Sequence, residues 1–252
     1  MLKISLAFLS MIRTVANWKL NGSRTFCKQW FKDFTSHFSG DLSSIAVAPP
    51  AIYIPLCTEL SAHQINICAQ NLDSLDGEAR TGEISLEMLQ DLNCNLSIIG
   101  HSERRHLFGE TSNMIRDKLL KAAKPDFNAI YCIGENLADY KAKLSFEAIT
   151  EQLNSELLSL SKSINLFVAY EPIWAIGSGK LPSKNEIELM HLHIKDLLLQ
   201  HKHINLLGIF YGGSVTEHNC IELSQSDAID GFLVGGASLS GKSFAKIASS
   251  FT

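Results

Sequence analysis

The chain alternates between short apolar runs and longer segments whose apolar residues recur every third or fourth position. The short runs begin at Met11 (MIRTVANW), Ser43 (SSIAVAPP), Gln64 (QINICAQN), Leu96 (LSIIGH), Phe127 (FNAIYCIGE), Ile164 (INLFVAYE), Ile204 (INLLGIFYGG) and Ile229 (IDGFLVGG). Each has strand length and is apolar on both faces of the alternation, which predicts parallel strands covered by helices. Between them, Ile149, Leu153, Leu157 and Leu160 mark one helix face, and Ile187, Met190, Ile194 and Leu197 another. Ser183 and Glu186 have capping-box spacing, with Pro182 just ahead.

Eight such strand–helix cycles, with no Pro/Gly/Ser linker or low-complexity tract, predict an α/β fold: a single (β/α)₈ TIM barrel over residues 11–252. A doubly wound open sheet is the competing architecture, but no GxGxxG follows the first run. Residues 1–10 read as an N-terminal extension, disordered or produced by an alternative start, with Met11 as the natural first residue. Their apolar stretch is too short for a signal peptide, and no cleavage-type site follows it.

The runs end in NWK, PP, QN, GHSER, IGE, YEP, YGGS and VGGAS. In a barrel all these ends share one face, so their polar groups converge. Taken singly, each is ordinary turn chemistry. Glu171 alone reads as a cap or an ion-pair partner. Followed by Pro172 and by glycines at 177 and 179, it reads as a general base beside a hinged lid. His101, at the fourth strand's end, can offer a neutral imidazole to a carbonyl, kept neutral by a backbone N–H from the helix start that follows. Lys19, after a buried-type Trp18, can hold a fixed positive charge for a phosphate or a developing enolate. Asn17 is a donor beside it and Glu103 its ion-pair partner. The YGGSV and LVGGAS turns, with Ser214, Gly235 and Gly236, suit a phosphate cradle, and Gly177 can add an amide from the lid.

Composition narrows the partners. A net charge of −4 and the absence of a basic stripe argue against nucleic acid. No run of 18 apolar residues exists to span a membrane. The six cysteines form no CxxC pair and read as buried thiols of a reducing, cytoplasmic compartment. AIGSGK ends like a nucleotide loop, but Leu181 and Trp174 stand where a hydroxyl residue and a glycine are required. The histidines of HLHIKDLLLQHKH, from His191 to His203, are spaced two apart and read as a solvated helix rather than a metal cluster.

ANWKLNG, AQN, TGEIS, GHSERRHLFGE, CIGE, AYEPIWAIGSGK, YGGSV and LVGGASL, in that order from residue 13 to the C-terminus, resemble the triosephosphate isomerases. The resemblance implies interconversion of dihydroxyacetone phosphate and D-glyceraldehyde 3-phosphate through an enediolate, in glycolysis and gluconeogenesis. It implies Glu171 as base, His101 as neutral electrophile and Lys19 as phosphate and enediolate charge supported by Asn17. Gly177, Ser214, Gly235 and Gly236 would clamp the phosphate. It implies no metal, nucleotide or nicotinamide cofactor. It also implies a homodimer formed through the Asn71–Ser85 loop, in which Thr81 and Gly82 match the family while Arg80 replaces a usual aromatic. Two other readings stand beside it. A different sugar-phosphate isomerase barrel would share the GG turns but lack GHSERR and YEPIWAIGSGK. A non-catalytic barrel kept as a phosphate-binding or scaffold protein would have lost Glu171, His101 or Lys19.

Overall fold

The computed structural model describes residues 12–75, 79–175 and 181–252. The expected extension at 1–10, and Met11, lie outside them. The eight expected strands are present as β1 (Thr14–Asn17), β2 (Ile45–Ala48), β3 (Asn66–Ile67), β4 (Leu96–Ile99), β5 (Asn128–Ile133), β6 (Ile164–Tyr170), β7 (Ile204–Tyr211) and β8 (Gly231–Val234). All pairings are parallel, in the order β3-β2-β1-β8-β7-β6-β5-β4. The barrel closes between β3 and β4 at one residue. Ala69 N–H donates to the Leu96 carbonyl and Ile98 N–H to the Ala69 carbonyl, both at 2.8 Å.

The helices are α1 (Arg24–His37), α2 (Ile54–Leu60), α3 (Leu86–Asp91), α4 (Ser102–Leu107), α5 (Ser112–Ala122), α6 (Leu137–Ala142), α7 (Ser145–Leu153), α8 (Lys184–Leu199), α9 (Cys220–Ser224) and α10 (Gly241–Ala248). Their starts are specified by sequence. Ser23, Ser85, Thr111, Asn136 and Ser240 each accept a backbone N–H of the first turn, and Ser183 and Glu186 complete the expected capping box.

Side-chain alternation sorts the core into two layers. Val15, Ile98, Ile130, Cys132, Phe167, Ala169, Phe210 and Leu233 fill the barrel interior, where the Phe167 and Phe210 rings stack at 4.8 Å. The opposite parity, including Ala16, Ile99, Tyr131, Val168 and Tyr211, packs against helices. Ile149, Leu153 and Leu157 are fully buried in that outer layer, as their spacing predicts. Trp18 is also fully buried, edge-on to Phe26, Trp30 and Phe31. Such ring pairs contribute about 0.5–1.5 kcal/mol each beyond area burial and anchor the chain as it leaves β1.

One expectation is corrected. The His191–His203 segment is not a solvated helix throughout. His191 is completely buried and faces the core of α8 with Ile187, Met190, Ile194 and Leu198. The helix ends at Leu199, so His201 and His203 lie beyond it, where their rings approach to 5.6 Å. The two-apart argument against pairing holds only on a helix. Among the described residues no His/Cys/Asp/Glu group is arranged to hold a metal ion.

Candidate active site

The parity that fills the barrel also aims its polar ends. Val15, Asn17 and Lys19 share one side of the first strand's path, and Phe167, Ala169 and Glu171 share one side of the sixth. His101 follows β4, Ser214 follows the Gly212–Gly213 pair after β7, and Gly235 and Gly236 follow β8. Asn17, Lys19, His101, Glu171, Ser214, Gly235 and Gly236 all line one cleft of about 460 Å³ at the C-terminal mouth. The remaining expected site residue, Gly177, and the lid glycine Gly179 lie outside the described residues.

Lys19 has φ of 51°, the left-handed region, which costs a non-glycine residue about 1–3 kcal/mol. Two hydrogen bonds hold it there. Its N–H donates to Asn17 Oδ1 at 3.1 Å, and its carbonyl accepts from Gln70 Nε2 at 2.8 Å. Gln70 also donates to the Ala48 carbonyl at 2.8 Å, tying the ends of the first three strands together. The Lys19 side chain then runs past Gly235, whose missing Cβ would lie 3.3 Å from Cε, and Nζ donates to the expected partner Glu103 Oε1 at 2.9 Å. A Cβ on Gly236 would meet nothing within 4 Å, so the backbone of that turn borders open space in the cleft.

His101 is the N-cap of α4. Its Nδ1 accepts the Glu103 backbone N–H at 3.2 Å, as expected of a helix start next to the ring. A ring nitrogen that accepts carries no proton, so the imidazole proton is on Nε2. Nε2 lies 3.2 Å from Glu171 Oε1, inside the cleft. The other Glu171 oxygen accepts the Ser102 N–H at 3.2 Å. The first amides of α4 therefore orient both side chains. Glu171 and His101 are almost entirely buried.

The carboxylate's place is set by glycine on two sides. A Cβ on Gly134 would lie 1.7 Å from the Glu171 carbonyl oxygen, and one on Gly212 would lie 2.8 Å from Glu171 Cγ. Behind it, Ile173 N–H donates to the Glu135 carbonyl at 3.1 Å and Trp174 Nε1 to the Glu135 carboxylate at 2.7 Å. The sequence alone assigned no role to Gln70 or Gly134, and it read Gly212 only as part of the YGGSV phosphate turn. AQN, CIGE and YGGSV were visible motifs, but a steric or hydrogen-bonding duty to a residue far along the chain has no local signature.

Comparison with known proteins agrees with this geometry. The family model described as triosephosphate isomerase matches residues 13–251. The chain is 38% identical over 239 residues to the chloroplastic triosephosphate isomerase of Secale cereale, covering 94% of this chain and 80% of that one. It is 36% identical over 240 residues to the triosephosphate isomerases of Shewanella sp. (strain MR-4) and Shewanella baltica (strain OS155), covering 90% of this chain and 92% of each of those. The chain belongs to the triosephosphate isomerase family.

Proposed function

We propose that the cleft interconverts dihydroxyacetone phosphate and D-glyceraldehyde 3-phosphate, with Glu171 as the proton-transferring base. The observation that carries this reading is the meeting of Glu171, His101 and Lys19, from three separate strand ends, beside the Gly235–Gly236 turn. Glu171 takes a proton from the carbon next to the substrate carbonyl and returns it to the neighbouring carbon after an enediolate forms. His101 Nε2–H donates to the carbonyl oxygen, and substrate entry exchanges its contact with Glu171 for that bond. Lys19 Nζ balances charge on the enediolate and the phosphate. Asn17 holds the Lys19 turn. Ser214, Gly235 and Gly236 bind the phosphate through a hydroxyl and backbone amides. The test is turnover of D-glyceraldehyde 3-phosphate in a coupled assay. Glu171→Gln should lower turnover roughly 10²- to 10⁴-fold while inorganic phosphate still inhibits with similar strength. Retained turnover in that variant would overturn Glu171 as the base.

We further infer a homodimer that uses the Asn71–Ser85 loop. Leu20, Ile52, Leu107 and Phe108 are 96%, 80%, 75% and 67% exposed, a concentration of apolar surface that favours a covering partner. Leu20, Leu107 and Phe108 line a second cleft, of about 650 Å³, which shares Lys19 and His101 with the first. Arg80, which replaces an aromatic, turns back to donate to Asp73 at 2.9 Å and 3.1 Å. Burial pushes the Asp73 carboxyl up, but Arg80 and nearby backbone amides outweigh it and hold the group below its usual range. Sedimentation and specific activity across a dilution series test the dimer. Unchanged activity in a monomeric species would overturn its part in catalysis. The six cysteines are all free thiols, which supports a reducing, cytoplasmic location. No helix among the described residues is long and apolar enough to cross a membrane.

A further inference from the structure

A separate cleft of about 210 Å³ lies on the outer side of β5 and β6, between α6, the start of α7 and α8. Glu135 opens into it because the parity that sends Ile130 and Cys132 into the barrel sends Glu135 outward. Glu135 is 1% exposed, yet the side chains that donate to its carboxylate are neutral. Trp174 Nε1 donates at 2.7 Å, and the Tyr170 hydroxyl lies 3.0–3.1 Å from its oxygens. Among the described residues no cationic side chain forms an ion pair with it. Burial holds this carboxyl above its ordinary range against those donors. The rest of the lining is aromatic, from Tyr140, Phe146, Tyr170 and Trp174, with a second carboxylate from Glu186. Tyr140 stacks on Trp174 at 3.8 Å and reaches Glu186 with its hydroxyl at 3.3 Å, so one ring joins the aromatic and acidic walls.

Aromatic faces and desolvated carboxylates both favour positive charge, and a planar or alkylated cation satisfies both at once. We propose that this cleft is a binding site for a small organic cation bearing a guanidinium group. The cation lies against the aromatic faces and supplies Glu135 with the counter-charge that its present partners lack. The volume suits a head group rather than a large ligand. Lys143 also borders the cleft, at the end of α6. No ion pair joins it to Glu135 or Glu186, so it sets an electrostatic cost on the incoming cation without filling its place.

The test follows the indole N–H resonance of Trp174, one of three tryptophans, during titration with methylguanidinium and with its neutral near-isostere methylurea. The expected result is a saturable shift with methylguanidinium and roughly tenfold weaker binding of methylurea. Glu135→Gln should weaken methylguanidinium binding by roughly tenfold or more. Tyr140→Leu, at a half-exposed position where folding is not at stake, should weaken it by a similar factor. A blocked arginine amide, run in parallel, identifies the source. Binding of both cations supports a side chain presented by a polypeptide, and binding of methylguanidinium alone supports a free small cation. Equal binding of the urea, unchanged affinity in the folded Tyr140→Leu variant, or no saturable shift would each overturn the site.

Discussion

The Lys19 Nζ lies 2.9 Å from Glu103 Oε1, a contact between side chains 84 positions apart. Glu103 also gives its backbone N–H to His101 Nδ1. One residue therefore steadies the charged group from β1 with its side chain and the imidazole from β4 with its main chain. The two duties separate on mutation. Glu103→Ala removes the carboxylate and leaves the amide in place. It should lower kcat/KM by roughly ten- to a hundredfold, since displacement of a positioned group by about 1 Å has costs of that order. The tautomer of His101, read by ¹⁵N chemical shifts, should be unchanged. A change of tautomer would show that the side chain, not the amide, sets the ring.

The two glycines around Glu171 should respond differently to an added methyl. At Gly134 the obstacle is the Glu171 carbonyl oxygen, 1.7 Å away and part of the backbone. At Gly212 it is Glu171 Cγ at 2.8 Å, on a side chain that can turn. Gly134→Ala should therefore cost stability, roughly 1–3 kcal/mol or more, with lowered melting temperature and activity together. Gly212→Ala should melt near the parent and lose turnover, because the carboxylate is what gives way. Thermal melts and kinetics on both variants decide the matter. Equal loss of stability would refute the distinction.

The barrel was legible in the sequence because its two periodicities do not resemble each other. Runs such as LFVAY are apolar at every position, whereas Ile149, Leu153 and Leu157 recur at helical spacing. The convergence of the candidate site residues was legible because a barrel brings all strand ends to one mouth, so Lys19, His101 and Glu171 needed no contact prediction to be placed in one cleft. Relationships fixed by three-dimensional approach were not legible. Nothing local in AQN announces that Gln70 holds the Lys19 carbonyl, and Gly134 is a glycine because of a residue 37 positions later. His191 was misread because its spacing was compared only with the other histidines and not with the apolar residues of its own helix. Its spacing from Ile187 and Ile194 already put it on the buried face.

Lys143 ends α6 with φ of 62°, the left-handed conformation in which helices prefer glycine. Its N–H still reaches back to the Asp139 and Tyr140 carbonyls, so the cap itself is sound and only the Cβ is out of place. Lys143→Gly keeps those bonds and relieves the side-chain clash, at some cost in unfolded-chain entropy. The net expectation is stabilisation by about 1 kcal/mol, visible as a higher midpoint in chemical denaturation. A lower midpoint would mean that the lysine stem contributes packing worth more than the strain.

His191 should make stability depend on mild acid. Its Nδ1 lies 3.0 Å from the Ala228 carbonyl and so carries the ring proton, while Nε2 is buried without a partner and the ring edge meets Tyr170. Burial lowers its pKa from 6.5 to about 4, against the smaller raising effect of the Ala228 carbonyl. The folded chain therefore resists a second proton that the unfolded chain accepts. Above pH 6.5 both states are neutral at this site and the stability contribution is complete. Between 6.5 and about 4 the unfolded state binds the proton first, and stability falls as pH falls. The accumulated loss is about 3 kcal/mol, with no further slope from this group below that window. His191→Asn should be less stable than the parent at pH 7, because it gives up packing. The gap should narrow by a comparable amount at pH 4.5, since the variant has no proton to exclude. Urea denaturation of both proteins at several pH values measures the gap directly. A gap that stays constant with pH would show that His191 accepts its second proton in the folded state.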